Sequence, residues 1–280
     1  MVYERKTLMS ITADCHLHTS FSGDSQAPME DMISRGMELG LTEMTFTEHM
    51  DFDYIPIPGE APDYFEVDTD GYHKKYLEMR ERFEGKIKLN FGIELGMQTH
   101  VNERNTEYSK SFPFDFIIAS SHLCRRLDPY NADFWEGRLE KDGWHDYFSY
   151  IYEIITAYND FDIYGHLDYV LRYGPTKNTD FVFDEFRDDI DKILKALISM
   201  GKGIEANTSG YRYGMGGPHP CKEILSRYRE LGGEILTIGS DAHKPEHIAQ
   251  HFEDAAALLK DCGFEYYCVF HERKPEFMKI

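Results

Sequence analysis

Short apolar runs alternate with longer amphipathic stretches along most of the chain. Short apolar runs bounded by turn residues are typical of buried strands, and apolar positions with a period near 3.6 predict helices. The runs predict strands at 11–18, 43–49, 86–95, 114–122, 161–168, 202–209 and 234–241, and a further run at 265–270 would close the set. The amphipathic stretches predict helices at 28–40, 71–84, 145–158, 184–200, 219–231 and 245–262.

This alternation of strands and helices predicts a parallel sheet with helices packed outside it. Seven or eight such units favour a barrel, while an open sheet fits the same order of elements. Segments 52–70 and 123–143 predict long loops. Long loops in a compact domain often act as lids or binding loops, and a passive insertion is the alternative for each. The pattern contains no linker or repeat, so we expect one domain over residues 1–280.

Two histidines end the first predicted strand. His16 and His18 are two residues apart, and alternation along a strand places both side chains on one face. Both imidazoles can therefore reach one metal ion. A single HxH motif is a weak signal, so its weight depends on the other strand ends.

The same placement recurs at most of the other predicted strand ends, which carry His49, Glu94, His122, His166, Asp241 and His243. The carboxyl ends of parallel barrel strands share one face, where active sites are built. Packing explains this pattern poorly, because it would bury unpaired titratable groups. Imidazole and carboxylate without thiolate suit zinc, iron or manganese, and a set of this size can hold more than one divalent ion.

The remaining polar residues give weaker signals. Asp24 follows Gly23 and, from the residues alone, is a turn residue. His219, in the segment GGPHP, is ambiguous. The other histidines lie in helical or exposed contexts and are interpreted as ordinary surface residues: His73, His100, His145, His247, His251 and His271.

Composition narrows the class of partner. The formal net charge is −20, without a basic cluster, which disfavours nucleic acid and acidic membranes as partners. No run approaches the roughly 20 apolar residues of a membrane span. The first ten residues lack the apolar segment of a secretion signal. Five cysteines without a CxxC pair are typical of reduced thiols, and we expect a cytoplasmic protein.

Taken in order, the motifs DCHLHTSFSGD, TEHMD, GIELG, SSH, GHLD, EANTSG and GSDAH resemble those of the PHP (polymerase and histidinol phosphatase) family. The resemblance covers residues 12–243 and is specific as a set. It implies a distorted seven-stranded, TIM-like (β/α) barrel with a trinuclear metal site at its carboxyl face. Within the family, the chain resembles the stand-alone histidinol-phosphate phosphatases of the HisJ type, because GHLDYVLRYG and EANTSGYRYG match that branch and no polymerase domain is attached.

The resemblance also implies how the ligands divide among three ions. One ion would take His16, His18, Glu94 and Asp241. A second would share Glu94 and take His122 and His166. The third would take Asp24, His49 and His243, which reverses the interpretation of Asp24 as a turn residue.

A phosphate monoester needs cations around it, and Arg172 and Arg212 lie shortly after two of the motifs. An arginine fork suits phosphate, and the resemblance points to arginines in these segments. The alternative for each is a surface salt bridge. The leaving alcohol needs a proton, and the sequence leaves Asp241, His243 and a second water open as its source.

Histidinol carries an amine and an imidazole, so an acidic loop would suit it. The candidate acidic residues for this contact are Glu48, Asp51, Asp53 and Glu60. Glu205 is instead expected inside the barrel, as a buried partner that orients a metal-binding group.

Three other functions compete with this hypothesis. A phosphoesterase of the same family could act on phosphotyrosine or another small phosphoester. A metal-dependent amidohydrolase also begins with HxH, but it usually has a bridging lysine, and Glu94 takes that place here. A non-enzymatic metal-binding module is the third alternative. Neither the native metal nor the oligomeric state follows from the sequence.

Overall fold

The computed structural model of the protein describes residues 10–57 and 59–280, so the expectation about a secretion signal rests largely on residues outside this part. A parallel sheet is built from β1 (Ala13–Leu17), β2 (Glu43–Met50), β3 (Lys88–Gly96), β4 (Phe116–Ser120), β5 (Ile163–Tyr164), β6 (Gly203–Asn207) and β7 (Leu236–Gly239). An antiparallel hairpin, β8 (Tyr266–His271) and β9 (Lys274–Lys279), follows.

The helices of the described residues are α1 (Met29–Leu39), α2 (Thr69–Arg82), α3 (Asn102–Tyr108), α4 (Ala132–Trp135), α5 (Glu140–Ala157), α6 (Phe183–Ser199), α7 (Ser209–Arg212), α8 (Lys222–Glu230) and α9 (Phe252–Asp261). Short 3₁₀ turns cover Thr99–Val101, Tyr169–Arg172 and Pro245–His247.

The seven parallel strands follow one another in sequence order from β1 to β7. Residues just after β7 return to β1: the Asp241 amide donates to the His16 carbonyl at 2.9 Å, and the His18 amide donates to the Ala242 carbonyl at 3.0 Å. The sheet is therefore a nearly closed barrel, which confirms the predicted fold. Closure brings the first and last sequence motifs side by side.

Burial on both faces explains why the strands are nearly continuous apolar runs in the sequence. Strand residues are buried on both faces, as parallel sheets covered by helices require. The outer helices bury one stripe only. In α6, for example, Phe186, Ile190, Leu194 and Leu197 recur at helical spacing on the buried face.

Some predicted elements are confirmed and others need correction. The run 265–270 is a strand, as predicted, but it lies outside the barrel sheet: it is β8, which pairs with β9 through a turn at Glu272 and Arg273, both with positive φ. The predicted helix 245–262 is a 3₁₀ turn followed by α9. Segment 123–143 contains α4 and the start of α5, whereas 52–70 is largely irregular, as expected.

Among the described residues, no helix combines the length and the apolar character that crossing a membrane requires.

Candidate metal centre and substrate cavity

All nine predicted ligands meet at the carboxyl end of the barrel. They lie on the barrel strands or in the loops that follow them, and each is close to at least one other member of the set. Asp241 has a φ of 52°, a left-handed conformation that aspartate tolerates better than most residues. This conformation turns the chain directly after β7, where the barrel closes.

Glu94 lies at the centre of the cluster. Its Oε1 is 2.9 Å from His166 Nε2 and 3.2 Å from His122 Nε2. Its Oε2 is 3.0 Å from His49 Nδ1 and 3.3 Å from His16 Nε2. Because each oxygen faces different imidazoles, the carboxylate is placed to bridge two ions.

Two imidazoles and two carboxylates approach one another at the centre of the cluster. His16 Nε2 and His18 Nε2 lie 3.3 and 3.5 Å from Glu94 Oε2, and 3.8 and 3.5 Å from Asp241 Oδ1. Zinc bonds of about 2.0–2.1 Å in a tetrahedron imply ligand separations of roughly 3.3 Å. The donor set and its spacing therefore fit a zinc-sized ion.

Two further groups adjoin this position. On one side, His122 and His166 face Oε1 of Glu94, so that this carboxylate is shared with the first position. On the other side, Asp24 Oδ2 lies 3.1 Å from His243 Nε2 and 3.7 Å from His49 Nε2. His49 lies between the two sides, with one ring nitrogen towards Glu94 and the other towards Asp24.

Polar atoms without hydrogen-bond partners converge on the same place. These buried atoms are His16 Nε2, His18 Nε2, His49 Nδ1, His243 Nε2 and Glu94 Oε2. Leaving such a group unsatisfied costs about 1–3 kcal/mol, so their convergence fits cation binding better than packing.

Neighbouring side chains fix the orientation of the imidazoles. The Glu205 carboxylate lies 2.7 Å from Nδ1 of His16, and the Asp51 carboxylate lies 2.8 Å from Nδ1 of His122. Ser22 Oγ lies 3.0 Å from Nδ1 of His18. Each of these contacts leaves Nε2 directed at the cluster. Glu205 is thus where the sequence analysis expected it, as a fully buried partner inside the barrel.

Neighbouring charges determine the direction of the pKa shifts within the cluster. Burial acts to raise the pKa of Glu94, but the imidazoles of His16, His122 and His49 outweigh it and hold the pKa well below the usual value. For His16, burial acts to lower the pKa, and the carboxylates of Glu205 and Glu94 reverse the direction. The Glu94 carboxylate is therefore kept ionised, as a metal ligand must be.

A cavity of about 470 Å³ opens above the cluster. Its wall combines metal-side residues with cations, acids and aromatic rings: Arg172, Arg212, Lys244, His247, Asp51, Glu60, Asp128, Tyr54, Tyr130, Tyr169, Tyr173 and Tyr213. A volume of this size holds a small molecule. Charged groups of both signs favour an occupant that carries both a phosphate-like anion and a cation.

The two predicted arginines both line this cavity and are held by different means. Arg212 donates to the carbonyls of Ser240 and Asp241 at 2.7 and 2.8 Å. The Arg172 guanidinium lies over the Tyr213 ring, 3.7 Å from its centroid, and also contacts Tyr173. Both guanidinium groups are therefore fixed before any ligand binds.

The structure contradicts the substrate contact predicted for Glu48. Alternation along β2 turns His49 towards the cluster and Glu48 away from it. The Glu48 carboxylate is fully buried and accepts hydrogen bonds from Thr19 and Ser22. It supports the loop after β1 and does not face the cavity.

The other acidic candidates divide between the cavity and the surface. Asp51 lines the cavity, with one oxygen bound to His122, and Glu60 lies at its wall. Asp53 is outside it, exposed and paired with Arg104 at 2.7 Å, so the structure contradicts a substrate contact there as well.

The sequence analysis missed several cavity residues. Asp128 and Tyr130 lie in the segment 123–143, where the sequence predicts a long loop but does not distinguish these two residues from their neighbours. His247 was interpreted as an ordinary surface histidine, and it lines the cavity near Arg212. Proximity of such loop residues depends on chain folding, and only the presence of a long loop gave a signal.

A nearly closed parallel barrel with this cluster of histidines and carboxylates at its carboxyl end defines a metal-dependent hydrolase barrel. The family model of the PHP domain matches residues 14–209, more than half of the chain, and the chain belongs to this family.

Two relatives with assigned names match more than nine-tenths of the chain. A probable histidinol-phosphatase from Clostridium acetobutylicum is 31% identical over 264 residues, covering 93% of this chain and 97% of that protein. The histidinol-phosphatase of Lactococcus lactis subsp. lactis is 29% identical over 267 residues, covering 93% and 95%.

Solved structures agree with this comparison. The crystal structure of histidinol phosphate phosphatase from Lactococcus lactis, in complex with zinc, L-histidinol and phosphate, superposes with a TM-score of 0.86 at 28% identity, covering 95% of this chain and 98% of that one. A putative histidinol phosphatase from Listeria monocytogenes, at 17% identity and a TM-score of 0.73, shares the fold.

Proposed function

We propose that this protein is a metal-dependent phosphomonoesterase that hydrolyses L-histidinol phosphate to L-histidinol and phosphate. The observation that carries the proposal is the match over nearly the whole chain to a phosphatase solved with zinc, L-histidinol and phosphate. The cavity supports it independently, because it places arginines, acids and a cluster of potential metal ligands around one small volume.

In this proposal the nine clustered residues hold two or three divalent ions of zinc, iron or manganese. When bound, such ions lower the pKa of coordinated water and neutralise charge on phosphoryl oxygens. The residues of the chain keep the donor atoms in place through Glu205, Asp51 and Ser22.

Arg172 and Arg212 bind the phosphoryl group. Their guanidinium groups are anchored on aromatic rings and on backbone carbonyls, so little side-chain entropy is lost when they receive the anion. Charge that develops on the phosphoryl oxygens in the transition state is then met by donors already in position.

The leaving alkoxide takes a proton from a group on the cavity wall. Asp241 and His243 belong to the cluster and also line the cavity, and they are the two candidates within the ligand set. His243 Nδ1 lies 3.1 Å from the Asp241 carbonyl, a contact that fixes its ring.

The histidinol part of the substrate would lie against the acidic and aromatic wall. Asp128 is half-buried there, and the Tyr54 hydroxyl donates to its Oδ2 at 3.3 Å. Burial raises the pKa of Asp128, so a cationic amine or imidazolium beside it would relieve the cost of its charge. Asp51 and Glu60 complete the acidic side of the cavity.

We also propose that residues 1–280 form one catalytic domain in the cytoplasm, acting without nucleic acid. The hairpin β8–β9 packs beside β7, with Phe270 on Phe116 at the barrel, which supports one domain. All five cysteines are free, as in reducing compartments. The net charge of −20 opposes binding to nucleic acid.

A substrate panel tests the proposed function. Phosphate release would be measured from L-histidinol phosphate, phosphotyrosine and a nucleoside monophosphate, each with zinc or manganese present. We expect the highest kcat/KM for L-histidinol phosphate. A higher value for another ester would keep the metal chemistry and replace the substrate, and no release from any ester would favour an amidohydrolase or a binding module.

A further inference from the structure

A histidine and an aspartate outside the ligand set form a buried pair below the cavity wall. His219 Nδ1 lies 2.6 Å from Asp168 Oδ1, and both side chains are only 1% exposed. The second Asp168 oxygen accepts the Cys221 amide at 2.8 Å. Neither residue lines the cavity, so the pair has no direct contact with a ligand there.

The pair joins the two loops that carry the arginines. Asp168 immediately precedes the 3₁₀ turn Tyr169–Arg172, which ends at the first arginine. His219 exchanges two backbone hydrogen bonds with Asn207, at 2.7 and 2.8 Å, at the end of β6. The chain between Asn207 and His219 carries Arg212, so the pair fixes both ends of that loop to the Arg172 loop.

Two smaller contacts link the same loops nearer to the cavity. The Arg172 guanidinium rests on the ring of Tyr213, and Asn178 donates to the Met215 carbonyl at 2.8 Å. These contacts lie at exposed or half-buried positions. The Asp168–His219 pair is the fully buried member of the set, where a hydrogen bond to a carboxylate is strongest.

Such a connection is needed because two guanidinium cations face one cavity. The positive charge of each acts on the other, and the Arg172 charge adds to the effect of burial in lowering the pKa of Arg212. Repulsion would move two unlinked loops apart. A phosphoryl group, however, is bound well only when both forks stay at a fixed separation.

We propose that Asp168 and His219 are positioning residues that set the separation of Arg172 and Arg212 and so determine the affinity for a phosphoryl group. This inference rests on the proposed function in one respect, the assignment of the two arginines to phosphate.

The test compares two amide substitutions of the same histidine. Asparagine places its amide nitrogen near the position of Nδ1, so His219→Asn can still donate to Asp168. Glutamine places its amide near Nε2, so His219→Gln loses that bond. The readout is the dissociation constant of inorganic phosphate, measured by calorimetry on the metal-loaded protein, together with metal content and melting temperature.

We expect phosphate to bind His219→Gln about tenfold more weakly than the wild type, and His219→Asn within about twofold of it. Metal content should be unchanged in both. Equal phosphate affinity in all three proteins, or a loss of metal from His219→Gln, would overturn the proposal.

A double-mutant cycle separates positioning from general stability. In an Arg212→Met background, His219→Gln should change phosphate affinity by less than about twofold, because the arginine through which it acts is gone. An undiminished effect would contradict the proposal. Asp162→Asn, at the opposite end of the barrel, is the control: it breaks a buried contact with Arg273 and should lower the melting temperature without changing phosphate affinity.

If His219→Gln does not fold, Cys221→Pro gives a second route. It removes the amide that donates to Asp168, and the φ of −61° at this position is one that proline adopts. We expect about threefold weaker phosphate binding, and unchanged binding would overturn the proposal. Since the readout is inorganic phosphate, failure to hydrolyse L-histidinol phosphate would refute the proposed function and leave this result intact.

Discussion

At the scale of single residues, the metal centre depends on side chains that their neighbours hold in one orientation. Glu94 places its two oxygens against different imidazoles, so one carboxylate links both sides of the cluster. The imidazoles in turn are held by their second ring nitrogen, as in His16 with Glu205. Loss of an orienting contact should therefore weaken metal binding even though every ligand remains.

Substitution of Glu205 tests this dependence. Glu205→Gln keeps the volume but removes the charge that faces His16 Nδ1, so the imidazole becomes a weaker and less constrained donor. We expect zinc affinity to fall about 10- to 100-fold, measured by competition with a chromogenic chelator. Glu43→Gln is the matched control, because Glu43 is buried at the start of the second strand and bonds to Asn90. Equal zinc affinity in Glu205→Gln and wild type would contradict this account.

Asp128 provides a test of substrate recognition. Asp128→Asn removes the charge on the cavity wall that would meet the cationic part of histidinol. We expect kcat/KM for L-histidinol phosphate to fall about 10- to 100-fold, while the affinity for inorganic phosphate stays unchanged, because a hydrogen bond to a charged group contributes roughly 1.5–3 kcal/mol.

Asp53→Asn is the control for that experiment. Asp53 is an acidic residue next to Tyr54, the residue that bonds to Asp128, but it is exposed and paired with Arg104 outside the cavity. Its substitution should leave kcat/KM unchanged. If Asp53→Asn lowered kcat/KM and Asp128→Asn did not, recognition of the cation would lie elsewhere.

At this scale the sequence predicts the metal ligands better than it predicts the environments of the acidic residues. Candidate ligands can be predicted because strand ends and residue chemistry coincide, as at His16 and His18. The environment of an acidic residue cannot be predicted in the same way. Glu48 and His49 are neighbours in sequence, yet alternation along the strand turns them in opposite directions, and hydrogen bonds from Thr19 decide the role of Glu48.

At the scale of elements, a small residue in one strand makes room for the groups of others. A Cβ atom on Gly239, at the end of the seventh strand, would lie 2.4 Å from His16 Cβ and 2.5 Å from Glu205 Oε1. Real side chains do not approach so closely. The glycine therefore allows the His16–Glu205 contact to form inside the barrel.

We expect Gly239→Ala to destabilise the protein by about 1–3 kcal/mol through overpacking and to lower zinc affinity, because His16 must move. Thermal unfolding with and without zinc measures both effects. Gly217→Ala is the matched control, since its Cβ would have no neighbour within 4 Å. Equal melting temperatures for the two variants would contradict the packing argument.

The long amphipathic helices were predicted from periodicity, whereas the short elements were not. Helices α3, α4 and α7 have between four and seven residues, too few for a period to show. The terminal strand was predicted at the right residues, but its partner was missed. The register of the β8–β9 hairpin depends on the two-residue turn at Glu272 and Arg273, which lacks the usual glycine.

At the scale of the whole molecule, closure of the barrel creates the site. The β–α alternation predicts a parallel sheet, and a barrel was the favoured form. Which residues meet across the closure depends on hydrogen bonds between parts of the chain far apart in sequence, such as that from the Asp241 amide to the His16 carbonyl. Closure also gathers arginines and potential cation sites at one face of a molecule whose net charge is −20, and cations bound there would reverse the local sign where an anion binds.

Reconstitution of activity tests the central claim most directly. Phosphate release from L-histidinol phosphate would be measured on chelator-treated protein before and after zinc or manganese is returned, with bound metal quantified in the same samples. We predict that activity is lost on chelation and returns in proportion to bound metal, up to two or three ions per chain. Release that persists in metal-free protein, or that stays absent when the metal is restored, would contradict the account.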